Sequence, residues 1–175
     1  MAGRGLRGSI LEDMVNMTNS SYREKGLALI QKVPTPITPI EFDKSSGHIT
    51  LAYFEQKSTV DYIGVVQGVP VCFDAKECHS DTFSLQNVHE HQYGFMRDFE
   101  AQGGIAFILL YFSQRDEKYY VPFCDLDFFY KRWENGGVRN FKYTEIDRTL
   151  EIKTAGGFLV HYLEQLQMDL KRHDG

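Results

Sequence analysis

Helical spacing appears first. After Ser9-Ile10-Leu11-Glu12, which has capping-box spacing, Leu11, Met14, Val15, Thr18 and Tyr22 mark one face until Gly26 offers a stop, predicting a helix over 9–25. The apolar run Leu27 to Val33 ends at Pro34, Pro36 and Pro39, which exclude a helix and disfavour a central strand. Residues 37–54 alternate around Asp43-Lys44-Ser45-Ser46-Gly47, the pattern of a protruding hairpin or arm. Val60 to Val66 and Val69 to Glu77 read as strands joined by a two-residue turn at Gln67-Gly68. Residues 84–100 place Leu85, Val88, Phe95 and Phe99 at heptad-like intervals, predicting a helix on that sheet. Ile105 to Phe112 is a continuous apolar run suited to a buried strand, with Lys118 to Phe123 as its partner. Residues 125–134 and 157–172 read as helices, and Val138 to Thr154 as loop with an irregular strand. These elements predict an α/β fold, a mixed sheet flanked by helices, in one domain over 1–175 with 37–54 as its arm.

Composition agrees with a packed domain: 175 residues, 42% hydrophobic and 25% charged. No apolar run reaches the roughly 18 to 20 residues needed to cross a bilayer, and Met1 to Arg7 has no hydrophobic stretch for a signal peptide. The expectation is a cytoplasmic protein without a membrane partner. Three cysteines, Cys72, Cys78 and Cys124, cannot form a full set of pairs and are expected as thiols. A net charge of −5 argues on its face against nucleic acid. The charge is uneven, however: residues 1–57 carry +1 and the remainder −6. An acidic half holding divalent cations would look less negative to a polyanion.

With Gln67-Gly68 as the turn, antiparallel register pairs Ile63 with Cys72 and Asp61 with Asp74. The acids form a non-hydrogen-bonded pair with Cβ atoms roughly 4.5 to 5.5 Å apart, a repulsive placement unless something between them compensates. Strand alternation points Lys76 to the same face as Asp74. Two carboxylates and an ammonium suit a Mg²⁺ ion held by acids, waters and a phosphate oxygen, with lysine offsetting developing negative charge. The same trio also fits a solvated surface hairpin with a salt bridge. Gln92 falls on the stripe of Leu85, Val88, Phe95 and Phe99, where an amide must find a partner, either a backbone group or the acid patch.

Thr59-Val60-Asp61-Tyr62-Ile63-Gly64-Val65, Phe73-Asp74-Ala75-Lys76-Glu77 and Thr82 to Gln92 together resemble the RecU family of Holliday junction resolvases, in the PD-(D/E)XK nuclease superfamily. The string Leu85-Gln86-Asn87-Val88-His89-Glu90-His91-Gln92 is the most specific part. The likeness extends to Gly3-Arg4-Gly5, Leu11-Glu12-Asp13, Thr18-Asn19 to Tyr22-Arg23 and Lys32-Val33-Pro34-Thr35-Pro36, over residues 3–133. It implies a restriction-endonuclease-like fold and a metal site of Thr59, Asp61, Asp74 and Gln92 loaded with Mg²⁺ or Mn²⁺. Asp61, Asp74 and Lys76 would be catalytic, Lys76 by stabilising the transition state. The family usually has Glu where this chain has Asp74, and the superfamily accepts either acid. The resemblance also implies four-way junction DNA as substrate, a homodimer, a recombinase or branch-migration helicase as further partner, and residues 37–54 as the stalk entering the junction. Arg4, Arg7, Lys44 and Lys57 are the basic side chains expected on DNA.

Other signals carry less. Cys78-His79 with His89 and His91 fits no standard zinc spacing, and two residues apart on a helix sets imidazoles on different sides. Tyr119-Tyr120 and Phe128-Phe129-Tyr130 read as core and interface aromatics. The expected function is metal-dependent junction resolution. Its alternatives are a nuclease acting on flaps or duplex ends and a non-catalytic junction-binding or recombinase-modulating protein.

Overall fold

The computed structural model describes residues 9–54 and 59–173. Helix α1 (Ile10–Glu24) is capped by Ser9, whose Oγ accepts from the Glu12 N–H at 3.1 Å. Its buried stripe is Leu11, Val15, Thr18 and Tyr22, and it ends before Gly26, whose φ of +67° a side chain would resist. A second cap comes from the sheet, where the Glu77 carboxylate accepts from the Leu11 N–H at 2.8 Å.

Six strands form the central sheet: β1 (Leu29–Lys32), β4 (Tyr62–Val66), β5 (Val69–Cys78), β7 (Ile105–Phe112), β8 (Glu117–Pro122) and β10 (Glu151–Ile152). In space they run β1-β4-β5-β7-β8-β10, and only the β5–β7 pair is parallel. Strand β1, which ends just before the prolines at 34 and 36, lies at an edge. Strands β2 (Ile37–Asp43) and β3 (His48–Phe54) form the separate arm, and β6 (Thr82–Ser84) pairs with β9 (Asn140–Lys142). Helices α2 (Glu90–Ala101), α3 (Phe123–Glu134) and α4 (Leu163–His173) complete the fold. Cys72, Ala106, Ile108 and Leu110 face one core with residues of α2 and α3, and Phe73, Phe107 and Leu109 face the other with residues of α1 and α4. Strand β7 is apolar throughout because both its faces are covered.

The β4–β5 hairpin has the predicted register, with Ile63 opposite Cys72 and Val66 opposite Val69. Gln67 and Gly68 turn with φ of 48° and 89°, the type I′ signature. Gln67 is held in this uncommon conformation by its own amide, which donates to Gly26 O at 3.1 Å and Leu27 O at 2.9 Å.

Three predicted boundaries move. The helix expected over 84–100 starts at Glu90. Leu85 opens a 3₁₀ turn capped by Ser84, and Val88 is extended at the end of that turn, so Leu85 and Val88 reach the core without sharing a helix with Phe95. The helix expected over 157–172 starts at Leu163. Gly156 and Gly157 take positive φ in a turn closed by the Ala155–Phe158 bridge, after which Phe158, Val160 and Tyr162 are all buried at period two. Finally, the strand expected from Val60 starts at Tyr62, leaving 59–61 irregular. Within 138–154 the chain forms β9, two 3₁₀ turns and β10. Cys72, Cys78 and Cys124 are free thiols, and among the described residues no helix is long and apolar enough to cross a membrane.

Candidate active site

Two hairpin strands, the edge strand and one helix end bring the charges together. The chain bends at Asp61, just before β4, while Val33 N–H anchors the Asp61 carbonyl at 2.8 Å. The bend turns the Asp61 N–H onto Asp74 Oδ1 at 2.7 Å, and Asp61 Oδ2 in turn accepts from the Ala75 N–H at 3.0 Å. Each acid thus accepts from a backbone N–H beside the other, so the two meet, but not as the expected ladder pair: the β4–β5 register ends with Tyr62 opposite Phe73, and Asp61 lies in the bend outside it. Asp74 is fully buried, and its Oδ2 faces the Lys76 ammonium at 3.2 Å. Among the described residues no donor meets Asp74 Oδ2 in good hydrogen-bond geometry.

Lys76 Nζ also donates to Gln92 Oε1 at 3.2 Å, and the same oxygen accepts from the His89 N–H at 3.1 Å. Of the partners weighed for Gln92, the backbone amide N–H is present at the cap of α2, and the patch is met through the Lys76 ammonium rather than through either acid. The heptad stripe that singled it out is not a single helix; the position follows from α2 beginning where the β6–β9 ladder sets it.

Burial pushes both carboxyls above their ordinary range, with the Lys76 charge working against the shift. Asp74 rises to about 6, with Asp61 adding to the rise, and Asp61 moves in the same direction. Glu12 and Lys32 also act on Asp61, one raising and the other lowering its carboxyl, and they pair with each other at 2.5 Å. Neither belongs to the site residues expected from the sequence. No local signal marks them: Lys32 comes beside Asp61 only because β1 pairs with β4, placing it opposite Tyr62.

Thr59 is exposed in the irregular segment before β4. Lys44 occupies the exposed turn of the arm, where Asp43 is drawn down to about 2 by the hydroxyls of Ser46 and Ser45. Arg4, Arg7 and Lys57 lie outside the described residues. Along one side of the arm Ile40, Phe42, Ile49, Leu51 and Tyr53 are all exposed. The Cys78 thiol donates to Ser80 O at 3.0 Å, and His79 Nδ1 lies 3.0 Å from Ser113 Oγ. His89 and His91 correct the expectation of opposed imidazoles: His89 caps α2 rather than entering it, and the two rings stack at 5.4 Å. Tyr119, Tyr120, Phe129 and Tyr130 are core, whereas Phe128 is 62% exposed.

A divalent ion fits this donor set. Among the described residues no three His, Cys, Asp or Glu side chains are grouped to hold a metal. What the site offers is two hard carboxylates, one with a buried oxygen that lacks a hydrogen bond, the set Mg²⁺ takes when waters and a phosphate complete its shell.

Fold and site together define an α/β protein with a paired-acid and lysine centre at the rim of a mixed sheet. The family model for Recombination protein U, RecU, matches residues 6–168, and the chain belongs to that family. The Holliday junction resolvase RecU of Lactococcus lactis subsp. lactis is 42% identical over 169 residues, covering 94% of this chain and 78% of the relative. Its namesake in Geobacillus kaustophilus is 42% identical over 146 residues, covering 81% and 73%. Among solved structures, the Holliday junction resolvase Hjc of Archaeoglobus fulgidus aligns with a TM-score of 0.38 at 12% identity, over 67% of this chain and 75% of that one.

Proposed function

We propose that this chain is a structure-selective endonuclease that resolves four-way DNA junctions by Mg²⁺- or Mn²⁺-dependent phosphodiester hydrolysis. One observation carries the reading: a fully buried aspartate with an unshared oxygen, held beside a second acid and 3.2 Å from an ammonium. Asp61 and Asp74 would hold the metal, with Thr59 at the entrance. A bound Mg²⁺ supplies Lewis acidity to the phosphate and lowers the pKa of water.

The protein's own groups do the rest. An ammonium has three donors: one on Lys76 goes to Gln92 Oε1, while Asp74 Oδ2 faces the charge as an ion pair at 3.2 Å without a hydrogen bond. A donor not given to Gln92 is available to a non-bridging phosphate oxygen, and charge developing there is stabilised by a cation already fixed in a low-dielectric site. Gln92 has both carbonyl lone pairs occupied, so it acts as a positioning residue that aims Lys76. The arm, with Lys44 at its tip, reaches for the junction centre, and Arg4, Arg7 and Lys57 add contacts to the DNA backbone. Paired cuts across a two-fold junction call for a two-fold dimer of this chain. The expected setting is the cytoplasm, with a recombinase or branch-migration helicase supplying or moving the junction.

The test is cleavage of labelled junction, flap and linear duplex DNA by wild type, Asp74→Ala and Lys76→Met. Both variants are expected to bind junction in Ca²⁺ and to give no symmetrical nicks in Mg²⁺. Full cleavage by Asp74→Ala would remove this site, and preference for flaps or ends would reassign the substrate.

A further inference from the structure

Between α2 and α3 lies a cavity of about 420 Å³ that the proposed chemistry does not use. Its walls are aromatic. Tyr93 and Tyr130 stack with centroids 4.1 Å apart, Trp133 meets Tyr130 edge-on at 6.0 Å, and the Arg139 guanidinium lies over the indole at 4.1 Å. Both phenol hydroxyls point elsewhere, Tyr93 to Asp127 at 2.6 Å and Tyr130 to the Val88 carbonyl, so the rings offer the cavity apolar surface. Carboxylates of Glu90 and Glu134 and the Arg97 side chain complete the lining. Gly94 leaves one wall open: a Cβ built there meets nothing within 4 Å.

We propose that this cavity receives one unstacked nucleobase of the strand being cut, from a nucleotide next to the scissile phosphate, and so biases where cleavage falls. This rests on the reading of the chain as a DNA endonuclease. Three features favour a base over other occupants. Residues 88–93 are shared by site and cavity, since Gln92 touches Lys76 while Val88, Glu90 and Tyr93 bound or brace the pocket. At about 1.5 Å rise and about 3.6 residues per turn, Glu90, Tyr93, Gly94 and Arg97 lie within about 8 Å of Gln92 along the α2 axis and on the opposite side of the helix, about one helix width from the Lys76 contact. The chemistry is that of single-strand readout: ring and guanidinium planes for stacking, with acceptors at the edge for exocyclic amines. Adenine, cytosine and guanine can donate an amine to Glu90 or Glu134, and thymine has only its ring N–H. Extrusion is cheapest where a base has already lost pairing or a neighbour, as at a branch point.

Trp133 is the chain's single tryptophan, so its emission reports on the cavity directly. The experiment titrates wild-type protein with junction DNA in Ca²⁺, with abasic sites scanned one nucleotide at a time on both sides of the mapped cut. Intact junction is expected to quench Trp133. One abasic position should restore emission and weaken binding about tenfold, the size of one base–aromatic stack. Gly94→Leu, which fills the cavity with a good helix former and should keep or raise Tm, is expected to lose the quench with every base present and to be indifferent to the abasic position. Glu134→Gln should keep the quench but cut the preference for an amino-bearing base over thymine. A flat abasic scan in a protein that cuts junctions normally overturns the cavity's role alone. Gly94→Leu with wild-type quenching and cleavage pattern overturns it too. A wild type that neither binds nor cuts junctions removes the functional reading and this inference with it.

Discussion

Asp74→Asn isolates the cost of the buried acid pair. The asparagine keeps an oxygen for the Asp61 N–H, bonded at 2.7 Å in the wild type, and removes the charge. In the folded protein Asp74 titrates near 6 against an ordinary value of 3.8, because burial and Asp61 oppose ionisation more than Lys76 supports it. A folded pKa above the unfolded one means that protonation favours the fold: the contribution is complete below about pH 4 and is lost as pH rises through about 6. At roughly 1.4 kcal/mol per pH unit the ionised acid costs about 2 to 3 kcal/mol at pH 8. For a chain of this size that is about 5 to 10 °C in Tm. Without divalent ions, the wild-type Tm should therefore rise from pH 8 to pH 5 by about half of this, about 3 to 6 °C, relative to Asp74→Asn, since one pH unit below 6 recovers about 1.4 kcal/mol, Asp61 leaving a smaller slope in the variant. Added Mg²⁺ should stabilise the wild type more at pH 8 than at pH 5.5, since the ion and protons compete for the same oxygens, and should do little for Asp74→Asn. Parallel Tm curves for the two proteins across pH 5–8 by differential scanning calorimetry would refute the reasoning.

Two further outcomes follow from packing. Tyr120→Phe removes the hydroxyl that donates to Asp169 Oδ2 at 2.7 Å; Asp169 is fully buried and its other oxygen has no hydrogen-bond donor among the described residues. The variant should lose about 1 to 3 kcal/mol, read as a lower urea midpoint at unchanged slope, and an unchanged midpoint would mean that water replaces the hydroxyl. Gly64→Ala places a Cβ 2.1 Å from Leu29 O and 2.7 Å from Ile30 Cα, backbone that yields only by shifting β1. A loss of about 1 to 3 kcal/mol or more is expected, with faster amide exchange in 29–32, and wild-type stability would show that β1 is not held against β4 as drawn.

What the amino-acid order determined by itself was local. The turn at Gln67-Gly68 needs two positive φ values, and once it is placed, strand alternation sets the register of β4 on β5, so Asp61, Asp74 and Lys76 could be put in one patch from numbers alone. Capping by Ser9 and the unbroken apolar run of β7 were legible for the same reason: each depends on residues within a few positions of one another. Helix starts at 90 and 163 were not, because Leu85, Val88, Phe158, Val160 and Tyr162 are buried by what packs over them, and an extended or 3₁₀ stretch against a core shows the same apolar letters as a helix face. Only tertiary structure decided that Gln92 meets Lys76, that Glu12 and Lys32 stand beside Asp61, and that Trp133, Tyr93 and Tyr130 enclose a cavity. The raised carboxyls belong to the same class. A pKa shift by burial requires all the layers over a group to be in place, and those layers come from segments tens of residues apart whose pairing no local pattern specifies.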